Sequence, residues 1–257
     1  MSLDLFDLKG RRTFIPGGYG GIGAAVAAGL AQAGARVVVA GRSAEKAEAL
    51  AAKMRSAGLD AAGVAMDAND VASIRAAVDL AAAQLGGLDL LVNCVGFNRE
   101  QKIADVTVET FDEIYRVNLR SAMFLSQAAA RHQALAGGGA QVHMLSVRSM
   151  LGMKGYGYSA YCATKGALVM LVKQHAVELA AQGIRVNGVA PTVVLTEAAH
   201  KWKSDPGRWE ALLQRIPLGR VADPRDIVGA TVFFCAPASA FITGQVLYLD
   251  GGLTATQ

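Results

Sequence analysis

Cysteine and histidine are scarce in this chain, and they are scattered. The three cysteines (Cys94, Cys162, Cys235) show no CxxC or metal-like spacing, and the four histidines (His132, His143, His175, His200) include no His-x3-His pair. These absences argue against a metal site and a disulfide framework, and they leave reduced structural thiols in a cytoplasmic protein as the expectation. Charge is sparse too: 18% of residues are charged, and the net +4 is spread thinly. Without a Lys/Arg block, nucleic acid is not an expected partner. No uninterrupted apolar run reaches membrane-spanning length, and the opening MSLDLFDLKGRR carries two acids but no apolar h-region. Neither a membrane partner nor a signal peptide is expected.

Apolar residues are abundant, at 53% of 257, which suits one large domain with a sizeable core. Short runs rich in Val, Ile and Leu alternate with Ala-rich stretches of helical period. Strands are expected at 12–15, 36–40, 61–65, 88–92, 141–146, 185–189 and 245–249. Helices are expected at 21–33, 44–57, 71–85, 108–132, 159–181 and 224–235. The alternation predicts an α/β fold: a single domain over 1–257, with a doubly wound seven-stranded parallel sheet and helices on both faces. Two insertions, 148–157 and 192–218, interrupt the rhythm after the fifth and sixth strands. Ligands of open α/β sheets bind outside the carboxyl ends of the strands, so both border the expected site. Segment 192–218, with Trp202, Trp209 and the breaks Asp205-Pro206 and Ile216-Pro217, reads as a substrate lid.

The first strand runs into PGGYGGIG, which puts Gly17, Gly21 and Gly23 at the head of a helix. Glycines there allow a tight turn, close backbone approach to a pyrophosphate and close helix–strand packing, so a dinucleotide is the expected ligand. The second strand ends VVVAGRS. An acid at that place would bond the adenosine 2′-hydroxyl and repel a 2′-phosphate, but Gly41 and Arg42 stand there instead. A guanidinium suits a phosphate by charge and bidentate geometry, which favours NADP(H), with NAD(H) as the alternative.

In SAYCATKGAL, Tyr161 and Lys165 stand four residues apart on a predicted helix and so share one face. A phenol ordinarily loses its proton near pH 10, and a fixed cation can draw that value toward neutrality. A shift of roughly three units corresponds to about 4 kcal/mol, which requires a partly desolvated site.

Taken with further motifs, this pair resembles the short-chain dehydrogenase/reductases over essentially the whole chain. PGGYGGIG is similar to the family's TGxxxGIG loop, LVNCVG (91–96) to LVNNAG, and YRVNLRSAMF to its VNL motif around Asn118. SVRSMLG carries Ser149 three before Gly152, as the family's catalytic serine commonly stands; Ser146 is the competing choice. YCATK, IRVNGVAP and GQVLYLDGG complete the series. The resemblance implies a Rossmann fold in which Tyr161 is the acid/base, Lys165 lowers its pKa and holds the nicotinamide ribose, Ser149 bonds the substrate oxygen, and Asn118 positions a relay water. It also implies cofactor contacts from Gly17, Gly21, Ile22, Gly23, Arg42, Asp67, Asn93, Gly96, Pro191, Val194 and Thr196. A homotetramer assembled through the helices carrying Asn118 and Tyr161 and through the last strand is implied as well.

Several positions depart from the family pattern: Pro16 replaces Thr, Cys94 and Val95 replace Asn and Ala, and Thr192 stands where Gly is usual. Tyr158 and Lys165 match the Tyr-x6-Lys spacing of enoyl reductases, but Gly21-Ile22-Gly23 keeps the ordinary loop, so Tyr158 is assigned to the substrate wall. Arg99 in GFNRE, TKGAL, RIPLGR and the GQVL-DGG ending are most similar to the gluconate 5-dehydrogenase and sugar-acid group. Arg99 and Arg148 are the candidate carboxylate binders, with Tyr158 and Trp202 as an aromatic wall. The expectation is an NADP(H)-preferring oxidoreductase that interconverts a secondary alcohol and a ketone of a sugar, polyol or aldonate. A 3-oxoacyl thioester (acyl-carrier-protein) reductase is the enzymatic alternative, and an NADP(H)-sensing scaffold the non-enzymatic one.

Overall fold

A computed structural model describes residues 4–199 and 203–256. Seven strands form one sheet: β1 (Arg12–Pro16), β2 (Arg36–Gly41), β3 (Ala61–Ala65), β4 (Leu90–Asn93), β5 (Gly139–Met144), β6 (Ile184–Pro191) and β7 (Val246–Leu249). Their order is β3-β2-β1-β4-β5-β6-β7, and every pairing is parallel. The strand order reverses between β1 and β4, the place where such sheets open a crevice.

Eight α-helices are present among the described residues: α1 (Gly21–Gln32), α2 (Ala44–Ser56), α3 (Val71–Leu85), α4 (Val108–Tyr115), α5 (Ser121–Leu135), α6 (Ser159–Leu179), α7 (Pro206–Leu213) and α8 (Pro224–Cys235). The unbroken apolar runs of the central strands are explained by burial on both faces. Successive side chains leave a strand on opposite sides. Ile15, Val37, Val39 and Val92 therefore pack with α1, α2 and α8, while Phe14, Val38, Ala40 and Leu91 pack with α3 and α5. Leu168 and Val172 of α6 pack on Val186 and Ala190 of β6.

The structure corrects three boundaries. The helix expected over 108–132 is interrupted by a π-helical turn, Arg116–Arg120, which holds the buried Asn118. Single π turns of this kind are frequent at functional sites. The fifth strand ends at Met144, so Ser146 lies beyond it and caps a short 3-10 turn, Val147–Ser149. Asp205-Pro206, read as a break, instead starts a helix: the Asp205 carboxylate accepts the Arg208 N–H at 3.1 Å, and Pro206 takes the first turn, where its missing N–H costs nothing. The two insertions pack on each other, with Leu212, Ile216 and Val221 beneath Met153, Tyr156, Tyr158 and Trp209.

Candidate active site

Two cavities lie along the carboxyl ends of the strands and share the wall Cys94–Phe97. The first, of about 270 Å³, is bounded by Gly17, Tyr19 and Gly20 of the glycine loop, by Gly41 at the end of β2 and Arg42 just after it, and by Asp67 after β3. Its shape depends on missing side chains. Gly17 has φ +74°, and a Cβ there would lie 2.7 Å from the Cys94 carbonyl. A Cβ on Gly21 would lie 2.6 Å from the Thr196 side chain, so the loop after β6 rests directly on the glycine loop. No side chain caps the N-terminus of α1, which leaves its first N–H groups for an anion. Arg42 is exposed on the rim, and the Asp67 carboxylate is oriented by the Asn69 N–H at 2.9 Å.

The second cavity, of about 380 Å³, holds the reacting groups. Tyr161, Lys165, Ser146 and Arg148 line it, together with Ile22, Tyr158 and the segment Pro191–Val194. Lys165 is buried; its Nζ donates to the Met144 carbonyl at 2.7 Å and lies 5.7 Å from the centre of the Tyr161 ring. Burial pulls the Lys165 ammonium down to about 8. Burial pushes the Tyr161 phenol above its ordinary value, while a hydrogen bond with the Ser146 side chain and the charge of Arg148 act in the opposite direction. The Tyr158 ring meets Tyr161 edge-on at 6.1 Å, and burial pushes its phenol up to about 12, so it stays protonated at neutral pH. The Thr192 hydroxyl oxygen is buried in this wall and has no protein partner. A bare helix N-terminus, glycines that keep a channel open and an orphaned hydroxyl together fit an elongated dinucleotide laid across both cavities.

Comparison with known proteins agrees with this geometry. A family model described as "Enoyl-(Acyl carrier protein) reductase" matches residues 18–254. D-threitol dehydrogenase of Mycolicibacterium smegmatis is 39% identical over 99% of this chain and 97% of that protein. A gluconate 5-dehydrogenase from Burkholderia cenocepacia, crystallised with NADP and tartrate, is 37% identical with a TM-score of 0.96, covering 100% of both chains. A short-chain type dehydrogenase/reductase from Mycobacterium marinum is 35% identical with a TM-score of 0.93, covering 99% of both chains. The chain is a short-chain dehydrogenase/reductase.

Within this short-chain dehydrogenase/reductase, most residues singled out in the sequence converge. Gly17, Arg42, Asp67 and Gly96 line the first cavity, and Ile22, Gly96, Arg148, Tyr158, Tyr161, Lys165, Pro191, Val194 and Thr196 line the second. Gly23 supports the loop from behind, since a Cβ there would meet the Gly17 carbonyl at 2.2 Å. Asn93 lies beneath the shared wall: its side-chain oxygen accepts the Val95 N–H at 3.0 Å and its Nδ2 meets His143 at 3.3 Å. Asn118 braces the same wall, accepting the Phe97 N–H and donating to the Phe97 carbonyl, both at 2.8 Å, and donating to Thr164 at 3.2 Å. Its side-chain amide is thus engaged by Phe97 and Thr164, the residue next to Lys165.

Two residues are corrected. Ser149 does not reach the cavity: its hydroxyl pairs with that of Tyr248 at 3.1 Å, at the end of β7. The 3-10 turn carries residue 149 around to the far side and leaves Ser146, at its start, facing Tyr161. Position just past the carboxyl end of a strand was the signal for Ser146; spacing to Gly152 was misleading because the loop between them is irregular. Arg99 is half exposed, pairs with Glu113 at 3.1 Å and stacks over Phe97, so it is engaged away from the reacting groups. Trp202 lies outside the described residues.

Proposed function

We propose that this short-chain dehydrogenase/reductase interconverts a secondary alcohol and a ketone on a sugar, polyol or aldonate, with preference for NADP(H). The observation that carries the reading is the meeting of Ser146, Tyr161 and the buried Lys165 in one cavity beside a glycine loop whose missing side chains leave room for a dinucleotide. When bound, the nicotinamide cofactor supplies or accepts the hydride. Tyr161 gives its phenolic proton to the ketone oxygen, or takes it from the alcohol. Ser146 donates a hydrogen bond to that same oxygen and stabilises the charge that develops on it. Lys165, cationic below about pH 8, would favour the phenolate and would hold the nicotinamide ribose. Gly17, Gly20 and the free N–H groups of α1 would hold the pyrophosphate, and Arg42 the 2′-phosphate. The packed residues of the two insertions, among them Met153, Tyr156, Trp209 and Leu212, would exclude water from the site as a lid.

Membership of one domain and assembly as a cytoplasmic homotetramer belong to the same proposal. Three free thiols, and exposed apolar side chains on α4–α6 such as Phe111, Met170 and Val177, support it. NADPH- and NADH-linked assays against aldonates, polyols, keto sugars and acetoacetyl thioesters, with Tyr161→Phe as control, test the reading. Turnover of the sugar-derived substrates with NADPH and its collapse in the variant are expected. Cofactor binding without turnover of any substrate overturns it in favour of a sensor.

A further inference from the structure

Among the described residues, the cavity around Tyr161 is lined by two cations, Arg148 and Lys165, and by no carboxylate. Their situations differ. Lys165 has the Met144 carbonyl as a fixed partner and stands beside the shared wall, only 3.7 Å from where a Cβ on Gly96 would lie. Arg148 is 7% exposed, and among the described residues its guanidinium is engaged through Nη1, which donates to the carbonyls of Gly152 at 2.7 Å and Leu151 at 3.3 Å. Among the described residues, no ion pair includes Arg148. Burial disfavours its charge and so does the nearby Arg215, while the polar groups that offset them, Cys162, Tyr158 and Tyr161, are neutral at physiological pH. A guanidinium held in a wall without a counter-ion is unfavourable in the empty protein. It becomes favourable when the cavity receives an anion, because the planar fork can offer two parallel N–H donors to a carboxylate.

We infer that Arg148 is the specificity residue of this site and selects substrates that carry a carboxylate on the same wall as the reacting oxygen. This rests on the proposed function for the hydride step and narrows its substrate class from sugars and polyols in general to hydroxy acids and keto acids. Arg148 follows Ser146 by two residues in one short turn. The carboxylate therefore docks next to the group that holds the reacting oxygen, and the Nη1 bonds to Leu151 and Gly152 keep the guanidinium from swinging out. Arg99, paired with Glu113, has no comparable vacancy.

The test uses the full chain, with gluconate and malonate as anionic probes and glucitol as the neutral match to gluconate. Calorimetric titrations in the presence of NADP+, and kcat/KM for gluconate and glucitol, are measured for wild type, Arg148→Gln and Arg148→Lys. The ratio of gluconate to glucitol affinity, and the same ratio in kcat/KM, are expected to fall about 100-fold in Arg148→Gln. Malonate binding should weaken in parallel, and Arg148→Lys should recover part of each loss, since it keeps the charge but not the fork. An unchanged ratio, with both substrates losing equally, would mean that Arg148 only braces the loop and would overturn the inference. So would failure of the wild type to bind either anion. Binding of anions that depends on Arg148 without turnover of any alcohol or ketone would uphold the inference and sink the proposed function. Turnover of neutral polyols with no binding of anions would do the reverse. Thermal melting identifies a variant that does not fold, in which case Arg148→Lys and the wild-type malonate titration decide.

Discussion

The two cavities are built by different means. The first is shaped by backbone: glycines that admit no Cβ, a helix N-terminus without a cap, and a mixed set of charges from Arg42, Asp67 and Glu113. The second is shaped by side chains, and its charges are of one sign. A backbone-built site recognises what all dinucleotides share, and its recognition is written into a short run of sequence. A side-chain-built site recognises one substrate, and its parts come from the ends of β4, β5 and β6, from α6 and from the insertions. The difference explains why a short run of sequence marks the first cavity, whereas the second is assembled from distant parts of the chain.

The sharpest test of the contrast is Tyr161→Phe. It should lower kcat by about 10³-fold or more through loss of the proton-transferring group, while the Kd for NADP+ changes little. A comparable loss of cofactor affinity would show that the two ends are not separable. The paired variants Ser146→Ala and Ser149→Ala come next. The first is expected to reduce kcat by about 10²-fold through loss of the donor to the substrate oxygen. The second should leave kcat within about threefold and cost about 1 kcal/mol of stability, read from urea midpoints, through loss of the Tyr248 hydrogen bond. The opposite ranking would restore Ser149.

Lys165 allows a test by pH. Its folded value of about 8 lies below the ordinary 10.5, because burial disfavours the ammonium. Between those values the unfolded chain holds a proton that the folded chain has released, so this group makes stability rise with pH through that window. Below pH 8 the folded protein carries the whole penalty, about 3 kcal/mol. Above 10.5 the penalty is gone. Lys165→Met should therefore gain on wild type near pH 7 and lose that advantage by pH 10.5, as followed by urea unfolding without cofactor. A constant difference across the range would mean that Lys165 is not buried as described. The smallest expected effect is at the backbone-built end, where Arg42→Ala should raise the KM for NADPH about 10- to 30-fold and leave that for NADH nearly unchanged. A similar change for both cofactors would remove the argument for a 2′-phosphate contact.

Strands and helices were largely legible because period, not identity, marks them: β3, α3 and α8 have the expected limits. The misjudged elements each involve something that periodicity cannot show. The π turn at Arg116–Arg120 inserts one residue into an otherwise continuous helical pattern. α7 begins at Asp205-Pro206, a pair that favours a turn and a helix start equally well until its partner surface is known. Asn118 was marked as a site residue by its motif, yet only its contacts show that its amide clamps the backbone of Phe97.

The sequence by itself determined the parallel α/β architecture, the dinucleotide loop and the pairing of Tyr161 with Lys165, because strand alternation, missing side chains and helical spacing are local properties. Tertiary structure decided which serine faces Tyr161 and which arginine is left without a counter-ion. Ser146 and Ser149 differ by one 3-10 turn, and that turn's direction is settled by β5 on one side and by the Tyr248 hydroxyl on the other. Arg99 and Arg148 look alike in sequence. Glu113 neutralises the first, while among the described residues no acid lines the cavity wall that holds the second. Partners brought together from distant parts of the chain set charge and direction, and those partners appear only when the chain is folded.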